Sequence, residues 1–133
     1  MELDTGLPRE LATALRSGVD LLVQAAAYTA QDAAEILRAS DTIGGAIVLS
    51  TMSVYVDDLR RFLDESTGAA TDPRPPVPIP ETQRTLPPSA QTYSTRKVAM
   101  EQRLLGQDTL PVTATATPTS GMAFCGLFGH SSG

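Results

Sequence analysis

The chain has 133 residues, enough for one modest domain and too few for two. Fifteen acidic against ten basic residues give a formal charge of −5, which argues against nucleic acid or an anionic membrane as the main partner. With 41% hydrophobic residues the composition is globular, and a single Cys (Cys125) and a single His (His130) leave no disulfide framework and no His/Cys metal site.

Leu7 to Arg16 reads as a short amphipathic helix, with Leu7, Leu11, Ala14 and Leu15 at helical spacing and Gly18 beyond its end. Val19 to Val23 is a short apolar run that reads as a strand buried on both faces. Thr29 to Arg38 is helical, with Thr29 as N-cap. Ala46 to Thr51 is a second strand, and it ends in hydroxyls. Strand, helix and strand with short links make a βαβ unit with a right-handed crossover. In such sheets ligands bind beyond the carboxyl ends of the strands, here Ala25 to Ala27 and Ser50 to Ser53.

From 56 to 92 the chain has little periodicity. Asp57 to Asp64 suggests a short charged helix, and Asp72 to Pro80 is too rich in proline for a helix or a central strand. A loop this long in a compact domain is commonly a lid or disordered. Tyr93 to Leu105 is the next helix, apolar at Val98, Met100, Leu104 and Leu105 and ended by Gly106. Leu110 to Thr113 begins another strand. Low complexity from Ala114 onward suggests a disordered tail, 114–133, of the kind a frameshift or a joined foreign segment leaves. No apolar run approaches a membrane span, and Met1 to Asp4 does not start a signal peptide, so the cytoplasm is the expected location.

Tyr93 and Lys97 lie four apart and share a helix face. A lysine beside a phenol favours the phenolate, which would make Tyr93 a usable general acid/base near neutral pH.

With these elements in order, residues 3–113 resemble the NAD-dependent epimerase/dehydratase family, the extended branch of the short-chain dehydrogenase/reductases. Four segments carry the resemblance: Val19 to Ala27; Leu49-Ser50-Thr51-Met52-Ser53-Val54-Tyr55, like the family's Ser-Ser-x-x-Val-Tyr; Ile79-Pro80-Glu81-Thr82, like its Pro-x-x-Glu; and Tyr93 to Lys97, its Tyr-x-x-x-Lys. The resemblance implies an α/β fold with a partial Rossmann-like parallel sheet and flanking helices. It implies Tyr93 as acid/base, Lys97 as the holder of the nicotinamide ribose that also depresses the Tyr93 pKa, and Thr51 as the hydroxyl on the substrate oxygen, with Ser50 as the alternative one register away. Ala25, Ala26 and Ala27 would line NAD or NADP, and Asp4 would reach the adenine. The substrate implied is a small hydroxyl or carbonyl compound, with a sugar nucleotide as one candidate.

The sequence departs from the family in several places. It holds no Gly-x-x-Gly-x-x-Gly turn, no first βαβ unit, no Arg-Pro pair after Thr113 and no carboxy-terminal substrate domain. Weak or absent activity is therefore expected from the chain alone. The alternatives are a non-catalytic binding or scaffold module, in which a partner covers the truncated sheet edge, and a degraded gene product.

Overall fold

A computed structural model of the chain describes residues 8–117 and 126–129. The elements are helix α1 (Pro8–Ala14), strand β1 (Leu22–Gln24), helix α2 (Ala30–Arg38), strand β2 (Ala46–Thr51), helix α3 (Tyr93–Leu105), strand β3 (Val112–Thr117) and strand β4 (Gly126–Gly129). β1, β2 and β3 are parallel neighbours in that order, with Val23 opposite Ile47 and Val48 opposite Ala114, and β4 joins β3 antiparallel. The result is an α/β arrangement, a small three-strand parallel sheet with flanking helices and one antiparallel strand added. β3 runs on to Thr117, past the boundary at 113 that the composition suggests, so Ala114 to Thr117 and β4 belong to the sheet.

α2 and α3 start where hydroxyls cap them. The Thr29 Oγ1 accepts the Asp32 amide at 3.2 Å, and the Asp32 carboxylate accepts the Thr29 amide at 2.8 Å, a reciprocal capping box. Thr92 and Thr95 make the same box at the start of α3. α1, α2 and α3 all pack on one face of the sheet. There Leu11, Leu15, Ala33, Ile36, Met100 and Leu104 close over Ala46 and Val48.

Two expectations fail at β1. The predicted strand Val19–Val23 is split into an isolated bridge between Val19 and Ile43 and then Leu22–Gln24. At the split the backbones approach so closely that a Cβ on Gly44 would lie 2.6 Å from the Asp20 carbonyl oxygen. Nor is the run buried on both faces. Leu21 is 54% and Val23 61% exposed, because among the described residues the helices pack on the other face.

The long loop is ordered by its own polar groups. It contains only a 3-10 turn, Leu63–Glu65, where a charged helix is expected. The Asp57 carboxylate accepts the amides of Leu59 (3.0 Å), Arg61 (2.9 Å) and Arg74 (3.1 Å) and the Arg61 guanidinium (2.7 Å), which bends the chain into a turn. Burial would raise this carboxyl, but the Arg61 and Arg74 bonds outweigh it and hold it down at about 2. The loop ends are stitched together, Val56 N to Arg84 O at 3.0 Å and Leu86 N to Val54 O at 2.8 Å. Leu86 is buried there with Val54, Tyr55, Val56 and Val98.

Candidate functional site

The carboxyl ends of β1 and β2 meet the start of α3. The stitched loop returns the chain to the end of β2, and the Thr92 cap places the first turn of α3 there. Thr51, the last residue of β2, is buried. Its Oγ1 accepts the Ser53 amide at 3.3 Å and lies 3.1 Å from the Ser53 Oγ. Tyr93, the first residue of α3, is 42% exposed, and the Thr51 hydroxyl is close enough to its phenol to oppose the rise of its pKa. One turn on, Lys97 points inward and is 2% exposed. Its Nζ donates to Ala27 O at 2.7 Å and to Leu49 O at 2.9 Å, so it ties the ends of β1 and β2 together. The same Nζ lies 4.6 Å from the centre of the Tyr28 ring, whose centroid is 6.1 Å from that of Tyr93.

These surroundings reverse one electrostatic expectation. The Tyr93 phenol is pushed up from its ordinary value, first by burial and then by Tyr28 and Asp64, with the Thr51 hydroxyl opposing. Lys97 does not depress it. The ammonium is directed into the sheet, toward two carbonyl oxygens and the Tyr28 ring, and burial lowers its own pKa against Glu101 and Asp32.

Thr51 and Ser50, the two alternatives for the substrate hydroxyl, point to different partners. Thr51 bonds Ser53 and opposes the rise of the Tyr93 phenol, and the Ser50 hydroxyl donates to the Glu101 carboxylate on α3. Glu101 is raised by burial, against Ser50 and Lys97. Ala25 and Ala26 are exposed beyond β1, with the Ala26 amide donating to Gln24 Oε1 at 3.0 Å. Ala27 is buried, its carbonyl taken by Lys97. Asp4 lies outside the described residues, as do Cys125 and His130.

Sequence reasoning missed Glu101, Tyr28, Ser94 and Asp64. Glu101 stands four residues after Lys97 on the same helix face, which is a usable signal. Tyr28 follows the alanines at the end of β1. Asp64 comes from irregular chain and has no periodic signal at all.

A cavity of ≈ 260 Å³ opens beside this cluster, between Met52, Ser53, Tyr55 and Leu63 and the loop residues Asp72, Pro73 and Pro75. A second cavity of ≈ 260 Å³, lined in part by Leu104, Leu110 and Val112, lies at the far end of α3, away from Tyr93. The first has the Ser53 hydroxyl and the Tyr55 phenol in its lining. Burial, then Glu101 and Glu81, push the Tyr55 phenol well up, so it stays neutral in the pocket wall. Among the described residues no three His, Cys, Asp or Glu side chains gather as metal ligands, and no helix is long and apolar enough to cross a membrane. No family model, curated protein or solved structure matches the chain.

Proposed function

We propose that the chain is a dinucleotide-dependent oxidoreductase of the epimerase/dehydratase type, with a Rossmann-like sheet, acting at a hydroxyl or carbonyl carbon of a small substrate. The observation that carries this reading is the docking of the first turn of α3 at the carboxyl ends of β1 and β2, with Ser94 bonded to Ser53, Tyr93 beside Tyr28, and Lys97 one turn on and anchored to both strand ends. This is where an α/β sheet binds its ligand.

NAD or NADP would supply the hydride acceptor or donor. Lys97 has three N–H groups and spends two on Ala27 O and Leu49 O, which leaves one for a ligand oxygen. The exposed Ala25 and Ala26 leave room for a flat ring beside them. Tyr93, with its pKa raised, is protonated at neutral pH. In reduction it gives its proton to the carbonyl oxygen as hydride reaches the carbon. In oxidation its phenolate takes the hydroxyl proton as hydride leaves. The sequence has no glycine-rich turn for a pyrophosphate, so much of the positioning energy is missing and turnover by this chain alone is slow.

Titration with NADH, followed by nicotinamide fluorescence with circular dichroism on the same sample, tests the reading. Saturable binding that weakens at least about tenfold in Lys97→Met is expected, the loss of roughly one charge-assisted hydrogen bond. A folded chain that binds no NADH rejects the reading. The bare face at Leu21 and Val23 favours the second reading, a non-catalytic module that binds a partner along β1.

A further inference from the structure

The ≈ 260 Å³ cavity between the end of β2 and the long loop is walled mainly by apolar side chains, and its one charged lining residue is Asp72. Met52, Leu63, Pro73 and Pro75 supply the apolar walls. The Ser66 hydroxyl donates to Asp72 Oδ1, and among the described residues nothing donates to Oδ2. The ion pairs of the described residues, Arg38–Glu35 and Arg61–Asp57, leave Asp72 out. Asp72 is half-buried, and a charge drawn out of water costs free energy until a partner meets it.

The loop wall has nothing to offer an anion. Proline has no N–H, and residues 73, 75 and 76 are all proline. The one amide among 73–76, that of Arg74, is spent on Asp57 Oδ2 at 3.1 Å. The Arg61 guanidinium is held by Asp57 at 2.7 Å and 2.6 Å and by Ala70 O at 3.3 Å. No Lys or Arg lines the cavity. The field at its wall has the same sign, since the Glu101 and Glu81 carboxylates add to burial in pushing the Tyr55 phenol up. A phosphate or carboxylate entering here meets like charge and no lining cation, whereas a cation meets an open carboxylate oxygen.

We propose that this cavity binds a small molecule with an ammonium head on an apolar body, the head on Asp72 Oδ2 and the body against Met52, Leu63 and the prolines. Asp72 is the specificity-determining residue, and it selects against molecules of the same size that carry a phosphate or a carboxylate. Ser53 also lines the cavity and is bonded to Ser94, the residue after Tyr93, so the cavity adjoins the first turn of α3. On the oxidoreductase reading the substrate is then an amino alcohol or amino ketone rather than a sugar nucleotide. That step rests on the reading, and the charge preference of the cavity does not.

Three ligands that share one ring and differ in charge test it: cyclohexylamine, cyclohexanol and cyclohexanecarboxylate. The readout is the Met52 methyl by NMR of the full chain labelled with carbon-13 at methionine Cε, assigned with Met52→Leu and titrated without NADH. Cyclohexylamine is expected to bind at least about fivefold more tightly than cyclohexanol, as a charge-assisted hydrogen bond to a half-exposed carboxylate allows. Cyclohexanecarboxylate is expected to bind more weakly than cyclohexanol. Met100, fully buried in the core, stays unmoved.

Asp72→Asn removes the charge and keeps an acceptor for Ser66, and it should erase the margin of the amine over the alcohol. An amine margin below about fivefold, a carboxylate that binds as tightly as the alcohol, or a margin that survives Asp72→Asn overturns the proposal. So does the absence of a saturable Met52 shift, or a Met100 shift of equal size. The ranking on the parent protein decides even where the variant does not fold. NADH binding is measured on separate samples. A chain that ranks the ligands but binds no NADH keeps the cavity's preference and loses the oxidoreductase reading, and one that binds NADH without ranking them does the reverse.

Discussion

The two faces of the sheet are made of similar residues and have opposite fates. On one, Ala46, Val48 and Ala114 are buried under three helices; on the other, Val23 of the edge strand stands open and Ile47 and Leu49 are only partly covered. A strand's sequence fixes how apolar each face is, and the packing of helices determines which face is dry. The covered face also holds the polar cluster. Lys97, Glu101 and Ser50 are held there by hydrogen bonds, which is the condition for burying such groups.

Truncation on each face should separate them most sharply. Ile36→Ala, at a fully buried position, should cost about 3 kcal/mol in urea unfolding, while Val23→Ala should stay within about 0.5 kcal/mol. Equal costs would mean that the open face is covered in solution.

A smaller effect is expected from Glu101→Gln. The buried Glu101 carboxyl has a raised pKa, so the folded state holds its proton longer than the unfolded state does. Its contribution to stability is therefore full below the unfolded pKa and is lost as pH rises through the folded one. Gln keeps an acceptor for Ser50 without that penalty. The variant should gain about 1 kcal/mol at pH 7 and nothing near pH 4, checked by thermal melts at both pH values. A gain at both, or at neither, would show that Glu101 is not desolvated by the covered face.

The smallest change in stability should come from Val23→Lys, within about 0.5 kcal/mol of the parent. The same substitution should reduce any self-association in sedimentation, because a lysine on an edge strand opposes pairing with another chain. Unchanged self-association would place the contact elsewhere.

How far the sequence reveals this structure depends on whether a signal is local. β2 and α3 have the bounds that their apolar patterns and the closing Gly106 predict. β1 does not, because its split depends on the backbone contact at Gly44, which is a tertiary fact. The spacing of Tyr93 and Lys97 is legible, but not what each side chain reaches. Residues four apart share a face, yet the first turn of α3 leaves Tyr93 half open while Lys97 turns in beneath the sheet ends. The pairing of Asp64 with Ser94 crosses an irregular loop, and no periodicity announces it.

Because residues 54–56 are stitched to 84–86, the stretch from 57 to 83 begins and ends at nearly one place. Such a stretch can be exchanged like a cartridge. Its length and lining, Asp72, Pro73 and Pro75 included, can change without shifting Thr51 or Tyr93. On the proposed function, the sheet and α3 would supply a constant reaction and the cartridge the choice of molecule. Asp64 ties the cartridge to the first turn of α3 through its bonds from Ser94, and Phe62 and Ile79 pack against Val54 and Val98 beside it.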